Sequence, residues 1–230
     1  MKHHKQEPFW VGVIRSMGIV FGDIGTSPIY TLTVVFALTP RTEASVLGIL
    51  SLVVWTLLIL VTVEYAWLAM SLPYKGQGGE IMLREILRKT IKPSRQLTFA
   101  GFLTFLGVSL LLGDGVITPA ITLLSAVEGM LLIPGLENLQ PDILILIAAV
   151  IAVGLFSFQS RGTDRVAGVF GPVMLVWFIA LAITGLASVA TMPGILKSVS
   201  PWYAFQFLKE NGLAGFFVLS EVILCATGGE

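Results

Sequence analysis

The sequence predicts an all-helical protein that crosses a membrane several times. Of its 230 residues, 55% are hydrophobic and only 12% are charged. An ordinary soluble domain carries about 25% charged residues, so most of this chain meets something other than water. The apolar residues also gather in blocks of about 20 or more, the length that crosses a bilayer core.

Six such segments follow in order, at about residues 9–38, 44–72, 97–132, 141–158, 166–191 and 212–230. The first is interrupted by Gly22, Gly25, Thr26, Ser27 and Pro28. The third is too long for one upright crossing, which implies tilt or extension beyond the bilayer. The sixth is incomplete at Glu230. A chain end inside an apolar run is costly in hydrocarbon, so a longer protein is expected. Residues 73–96 form a loop. In it Ile81, Leu83, Ile86 and Leu87 alternate with Glu80, Arg84, Glu85, Arg88 and Lys89, the pattern of a short interfacial helix. The polar stretch 193–211 precedes segment six, and its Trp202 and Tyr203 suit the membrane–water boundary.

The basic residues orient these segments. Lys2, Lys5 and Arg15, then Lys75, Arg84, Arg88, Lys89, Lys92 and Arg95, then Arg161 and Arg165 all fall on one side, eleven of the 14. Arg41, Lys197 and Lys209 fall on the other. Positive residues stay inside, so the N-terminus is expected in the cytoplasm.

A net charge of zero argues against nucleic-acid binding, which needs a basic excess. The single cysteine, Cys225, lies in an apolar run and reads as a small packing residue. The glycines at Gly76, Gly78 and Gly79 lack the Lys-Ser/Thr of a phosphate-binding loop. The two histidines, His3 and His4, are adjacent and terminal, which leaves no Ser-His-Asp arrangement and no metal cluster. Nothing in the residues supports an enzyme or a cofactor.

The chemistry concentrates in two acidic motifs. Gly22-Asp23-Ile24-Gly25-Thr26-Ser27-Pro28 would weaken any helix, because glycine is a poor helix former and Pro28 lacks a donor. Within a bilayer such a break survives only where it faces protein or a water-filled cavity, and it exposes backbone carbonyls to ions. The alternative is a proline kink with Asp23 near one end of the span. Gly113-Asp114-Gly115-Val116-Ile117-Thr118-Pro119 echoes this motif. Asp114, Thr118, Thr122 and Ser125 share one helix face by their spacing. A carboxylate with three hydroxyls suits a hard monovalent cation. Thr122 and Ser125 could equally bond back to helix carbonyls or join helices. Glu64, Glu128, Glu221 and Glu230 have no Lys or Arg within the apolar cores to pair with. A carboxylate there must be protonated, hydrated or neutralised by a cation. Glu128 reads as interfacial, and Glu221 stays open.

These residues resemble the Kup (HAK, KT) family of potassium uptake permeases. The resemblance rests on the run from Gly18 to Tyr30, on Gly76-Gln77-Gly78-Gly79-Glu80, on Gly113 to Ala120, on Ser125 to Gly129 and on Ala226 to Glu230. It implies a LeuT-like fold of the amino acid–polyamine–organocation type, with two inverted five-helix repeats and broken helices one and six. This chain would supply repeat one and the start of helix six. The resemblance further implies a cell-membrane protein that carries potassium inward with protons. Asp23, Tyr30, Asp114, Thr118 and Thr227 would line the potassium sites, and Thr122 would occupy a further hydroxyl position. Glu230 would couple the proton. A cytosolic region beyond Glu230 would take part in a homodimer. Two rivals are a sodium-coupled amino acid symporter of the same fold and, as a different class, a non-transporting potassium sensor. Asp23 disfavours the symporter, since an acid in the break repels a substrate carboxylate. A potassium channel would need a reentrant carbonyl-rich loop, which the sequence lacks.

Overall fold

A computed structural model describes residues 8–72, 79–92, 94–159 and 163–228. Lys2, Lys5, His3, His4, Lys75, Gly76, Gly78, Arg161 and Glu230 lie outside the described residues, as do the side chains of Glu80 and Arg165. The α-helices are Phe9–Ile24 (α1), Ser27–Leu38 (α2), Glu43–Thr56 (α3), Glu80–Thr90 (α4), Arg95–Glu128 (α5), Pro141–Gln159 (α6), Thr163–Thr191 (α7) and Pro201–Ile223 (α8). Helix α3 continues as a π-helical stretch, Leu57–Leu68. Short 3₁₀ turns, Pro193–Val199 and Leu224–Ala226, flank α8.

Local chemistry explains where these helices begin. The Thr42 hydroxyl accepts from the Ser45 amide at 3.2 Å and starts α3. The Ser94 hydroxyl caps the Leu97 amide at the start of α5. Both satisfy a donor that the first helical turn leaves without an intrahelical partner. Pro28, Pro141 and Pro201 each sit in the first turn of a helix, where a missing N–H costs nothing.

Among the described residues, four helical spans are long and apolar enough to cross a membrane: Val20–Leu38, Glu43–Ser71, Arg95–Leu132 and Gly168–Thr191. A fifth apolar helix, Pro141–Ser157, is shorter. Large apolar side chains such as Phe105, Leu110, Leu112 and Val116 are exposed along α5, as expected where the solvent is hydrocarbon. The chain is an all-α, multi-pass membrane protein.

The sequence places the start of the sixth segment near Gly212, and at that residue the helical stretch Pro201–Ile223 kinks, so that two helices meet there. Before the kink Gln206, Lys209 and Glu210 are exposed, whereas Asn211 lies on the face of Ala204 and Phe207 and donates to the Phe207 carbonyl at 2.9 Å. Gly212 keeps a positive φ of 49° at this kink, a conformation that costs glycine little. The motif around Asp114 echoes the first break in sequence, yet α5 runs unbroken through Pro119. One proline removes a single ladder bond. The first motif adds a Thr-Ser pair whose hydroxyls compete for the freed carbonyls.

The chain divides into two compact units, Met1–Val61 with Phe156–Gly229, and Thr62–Leu155. In the first unit, α3 packs along α8, α2 packs on α8, and α1 packs on α7. The core between α2, α3 and α8 holds Val35, Ile49, Leu52, Phe207, Val222 and Cys225. Cys225 is fully buried there, as a packing residue should be. Gly48 lets α8 approach, since a Cβ on it would fall 2.5 Å from the Phe207 Cβ. The Ser51 hydroxyl donates to the Ser200 carbonyl at 2.8 Å, and the Trp55 indole to the Val199 carbonyl at 3.0 Å. These bonds tie α3 to the turn that feeds α8.

Helices α1 and α7 meet glycine to glycine. A Cβ on Gly18 would lie 2.6 Å from the Gly171 Cα, and one on Gly171 would lie 2.5 Å from the Ile14 carbonyl oxygen. Small residues at such a crossing let two backbones touch, the main source of helix attraction where lipid is as apolar as leucine. In the second unit, α4 packs on α5 with Arg84 beside Gly101. Val127 of α5 packs with Leu144 and Ala148 of α6.

Replacing Gly18 or Gly171 with leucine forces α1 and α7 apart. The expected cost is about 1–3 kcal/mol, the range for overpacking a close contact, read as reduced unfolding stability of the intact protein in detergent. Gly12→Ala, with no atom within 4 Å of its added Cβ, should not destabilise.

Candidate cation site at the helix break

The first apolar segment breaks at Gly25 and Thr26, where the chain turns between α1 and α2. Pro28 has no N–H to offer the carbonyls of Ile24 or Gly25. The next amide, that of Ile29, bonds the Thr26 carbonyl at 3.0 Å. Side chains take over part of the ladder. The Thr26 hydroxyl donates to the carbonyls of Asp23 at 3.0 Å and Gly22 at 3.3 Å. The Ser27 hydroxyl reaches both the Asp23 carbonyl at 3.0 Å and its carboxylate Oδ1 at 3.2 Å. The Gly25 carbonyl accepts from the indole of Trp177, on α7, at 2.8 Å.

Of the backbone positions expected to face an ion, Gly22, Gly25 and Thr26 therefore each have one donor on their carbonyl. A carbonyl oxygen has two lone pairs, so each keeps one for a second interaction. Ser27 is fully buried in the first turn of α2.

Three of the predicted side chains, Asp23, Tyr30 and Thr227, belong to the first unit, and they converge. Tyr30, also buried, lies near enough to Ser27, Thr227 and Asp23 for each to act on its hydroxyl. The Thr227 hydroxyl donates to the Leu224 carbonyl at 2.7 Å, which leaves its lone pairs for other partners. The backbone after the Leu224–Ala226 turn comes so close that a Cβ on Gly228 would sit 2.7 Å from the Asp23 Cβ and 2.9 Å from Oδ2. The break between α1 and α2 thus faces the turn at Thr227 and Gly228 that follows α8. One carboxylate and the hydroxyls of Ser27, Tyr30 and Thr227 gather between them.

Asp114, Thr118 and Thr122 belong to the second unit. The Thr118 hydroxyl donates to Asp114 Oδ1 at 2.7 Å, so this pair shares a helix face as the spacing predicts. The Thr122 hydroxyl is buried with no hydrogen-bond partner. A buried polar atom without a partner is costly and invites a ligand. Glu64 and Glu128 are exposed, and Glu221 is half-buried. Among the described residues, no group of three or more His, Cys, Asp or Glu side chains is placed to hold a metal ion.

Two residues at the break were not singled out from the sequence. Gly228 entered only as part of a motif. Trp177 carried a usable signal, because tryptophan favours the membrane interfaces and this one sits near the middle of a 29-residue apolar helix. There its N–H needs an internal partner.

Fold and site define a multi-pass helical membrane protein built around a broken helix that carries a buried-side carboxylate and hydroxyls. Residues 10–230 match the K+ potassium transporter integral membrane domain, and the chain belongs to that family. The resemblance read from its motifs is thereby established as membership. The chain is 69% identical over all 230 residues to the probable potassium transport system protein Kup of Geotalea uraniireducens, of which it covers 38%. It is 69% identical to the protein of the same description from Trichlorobacter lovleyi, with the same coverage. It is 60% identical over 219 residues to that of Methanosarcina acetivorans, covering 95% of this chain and 36% of the relative. The chain thus spans well under half the length of these curated relatives. No solved structure matches it.

Gly228→Ala tests the packing of the break against the turn after α8. Its methyl group would overlap Asp23 and its φ of 86° disfavours a Cβ, so unfolding stability should fall by about 1–3 kcal/mol. Gly22→Ala, which adds a Cβ with no atom within 4 Å, is the control.

Proposed function

We propose that this chain is part of a potassium uptake transporter that carries potassium inward together with protons by alternating access. The convergence of Asp23, Ser27, Tyr30 and Thr227 where the break faces the turn after α8 supports this reading most strongly. Family membership adds to it, since the relatives are described as potassium transport proteins. One carboxylate with several hydroxyls and spare carbonyl lone pairs can replace the hydration shell of a large monovalent cation. Broken helices facing one another at such a site are the arrangement of LeuT-like inverted-repeat transporters. On this reading the chain supplies the first repeat and the first half of helix six.

Potassium enters from outside and sheds part of its water at Asp23, Tyr30 and Thr227. Asp114, Thr118 and Thr122 provide a second set of oxygens, and the partnerless Thr122 hydroxyl supports that role. Glu230 takes up a proton when facing outward and releases it inward. The protein lies in the cell membrane with its N-terminus in the cytoplasm, as the distribution of Lys and Arg favours. It works as a homodimer.

The test is rubidium uptake by the full-length protein in cells that lack other potassium systems. Asp23→Asn and Asp114→Asn should each reduce uptake at least about tenfold, the factor that ~1.4 kcal/mol of lost ion stabilisation produces. Normal uptake in either variant removes that residue from the site. Collapsing the proton gradient with an uncoupler should abolish net uptake. Uptake that persists unchanged at constant membrane potential would refute proton coupling and leave the potassium assignment standing.

A further inference from the structure

We infer that Trp177 is a positioning residue for the ion site, holding the broken segment in its ion-binding geometry through the hydrogen bond from its indole N–H to the Gly25 carbonyl. This role rests on the potassium-transport reading above.

The argument starts from what the break leaves undone. In a continuous helix the Gly25 carbonyl would accept from the amide of Ile29, which here bonds Thr26 instead. A tighter turn would draw on residue 28, but Pro28 has no N–H. The carbonyl is buried at the foot of α2, and in a membrane interior an unmet backbone oxygen costs several kcal/mol. Trp177 supplies the donor at 2.8 Å from a different helix.

The indole does not act by bulk alone. Gly25 is already walled by its neighbours on α7, since a Cβ there would lie 2.7 Å from the Met174 Cε and 3.1 Å from the Phe178 ring. Packing fixes how close the break lies to α7. The N–H fixes which way the Gly25 peptide faces, and the rotation of that peptide sets the direction of the adjoining Thr26 and Ser27 groups. Those groups hold Asp23 by its carbonyl and by Oδ1. Trp177 bonds the Gly25 carbonyl, so its effect reaches the ion through Gly25, Ser27 and Asp23.

Rubidium uptake kinetics of the full-length protein, with surface abundance measured in the same cells, test this. Trp177→Phe keeps an aromatic ring and loses the donor. It should raise the KM for rubidium about fivefold, the effect of one lost net hydrogen bond, while the maximal rate per transporter at the surface changes less than about twofold. Trp177→Gln and Trp177→Met, of similar reach, differ in having and lacking an N–H. The glutamine variant should keep a KM nearer to wild type than the methionine variant. If Trp177→Phe fails to reach the membrane, the Gln–Met comparison decides by itself. An unchanged KM in Trp177→Phe overturns the proposal, as do equal defects in the Gln and Met variants. Wild-type protein that takes up no rubidium overturns the functional reading, whereas wild-type uptake with an unaltered Trp177→Phe KM overturns only the role of Trp177.

Discussion

The missing amide of Pro28 is the constraint on which the first unit depends. A proline in the first turn of α2 costs that helix nothing, yet it strips a donor from the residues before it. In water those carbonyls would be solvated. In a bilayer they must be met from within the protein. Of the carbonyls of Ile24 and Gly25, that of Gly25 takes the Trp177 indole, while one turn earlier the hydroxyls of Thr26 and Ser27 bond the carbonyls of Gly22 and Asp23. The same hydroxyl that repairs the ladder also bonds the Asp23 carboxylate. Repair of the break and construction of the site are therefore a single arrangement.

The two motifs around Asp23 and Asp114 show how similar sequences reach different structures. Both place a glycine-flanked aspartate five residues before a proline. Only the first carries adjacent Thr and Ser between the acid and the proline, and only it comes apart. In the second, the lone Thr118 bonds the aspartate side chain rather than a freed carbonyl. The carboxylate of Asp23 is framed by the break after α1 and by the Thr227–Gly228 turn, and that of Asp114 by a hydroxyl one turn along an intact helix.

Much of this was legible in the sequence. The apolar blocks announce the membrane helices. The Gly, Thr, Ser and Pro cluster announces the break between Ile24 and Ser27. The spacing of Asp114 and Thr118 announces their contact. What was hidden depended on cancellation or on distance along the chain. The short helix before the Gly212 kink disappears in an average over Lys209, Glu210 and Asn211, although Ala204 and Phe207 enter the same core as Val218 and Val222. The approach of Gly228 to Asp23 and the bond from Trp177 to Gly25 join residues more than 150 positions apart. A local pattern can show that the Gly25 carbonyl needs a partner, but the partner is chosen by how helices pack.

Within the first unit, α1 is bound to α7 through touching glycines, while α2 is bound to α8, which also carries α3. The break at Gly25 and Thr26 is therefore a joint between two separately anchored groups. With no side-chain room between Gly18 and Gly171, that contact transmits force without yielding. A displacement of α7 relative to α3 and α8 would load the torsions around Gly25, beside Asp23, together with the Pro193–Val199 turn that packs on all three helices. The carboxylate of Asp23 is thus placed where relative helix motion would have leverage on it.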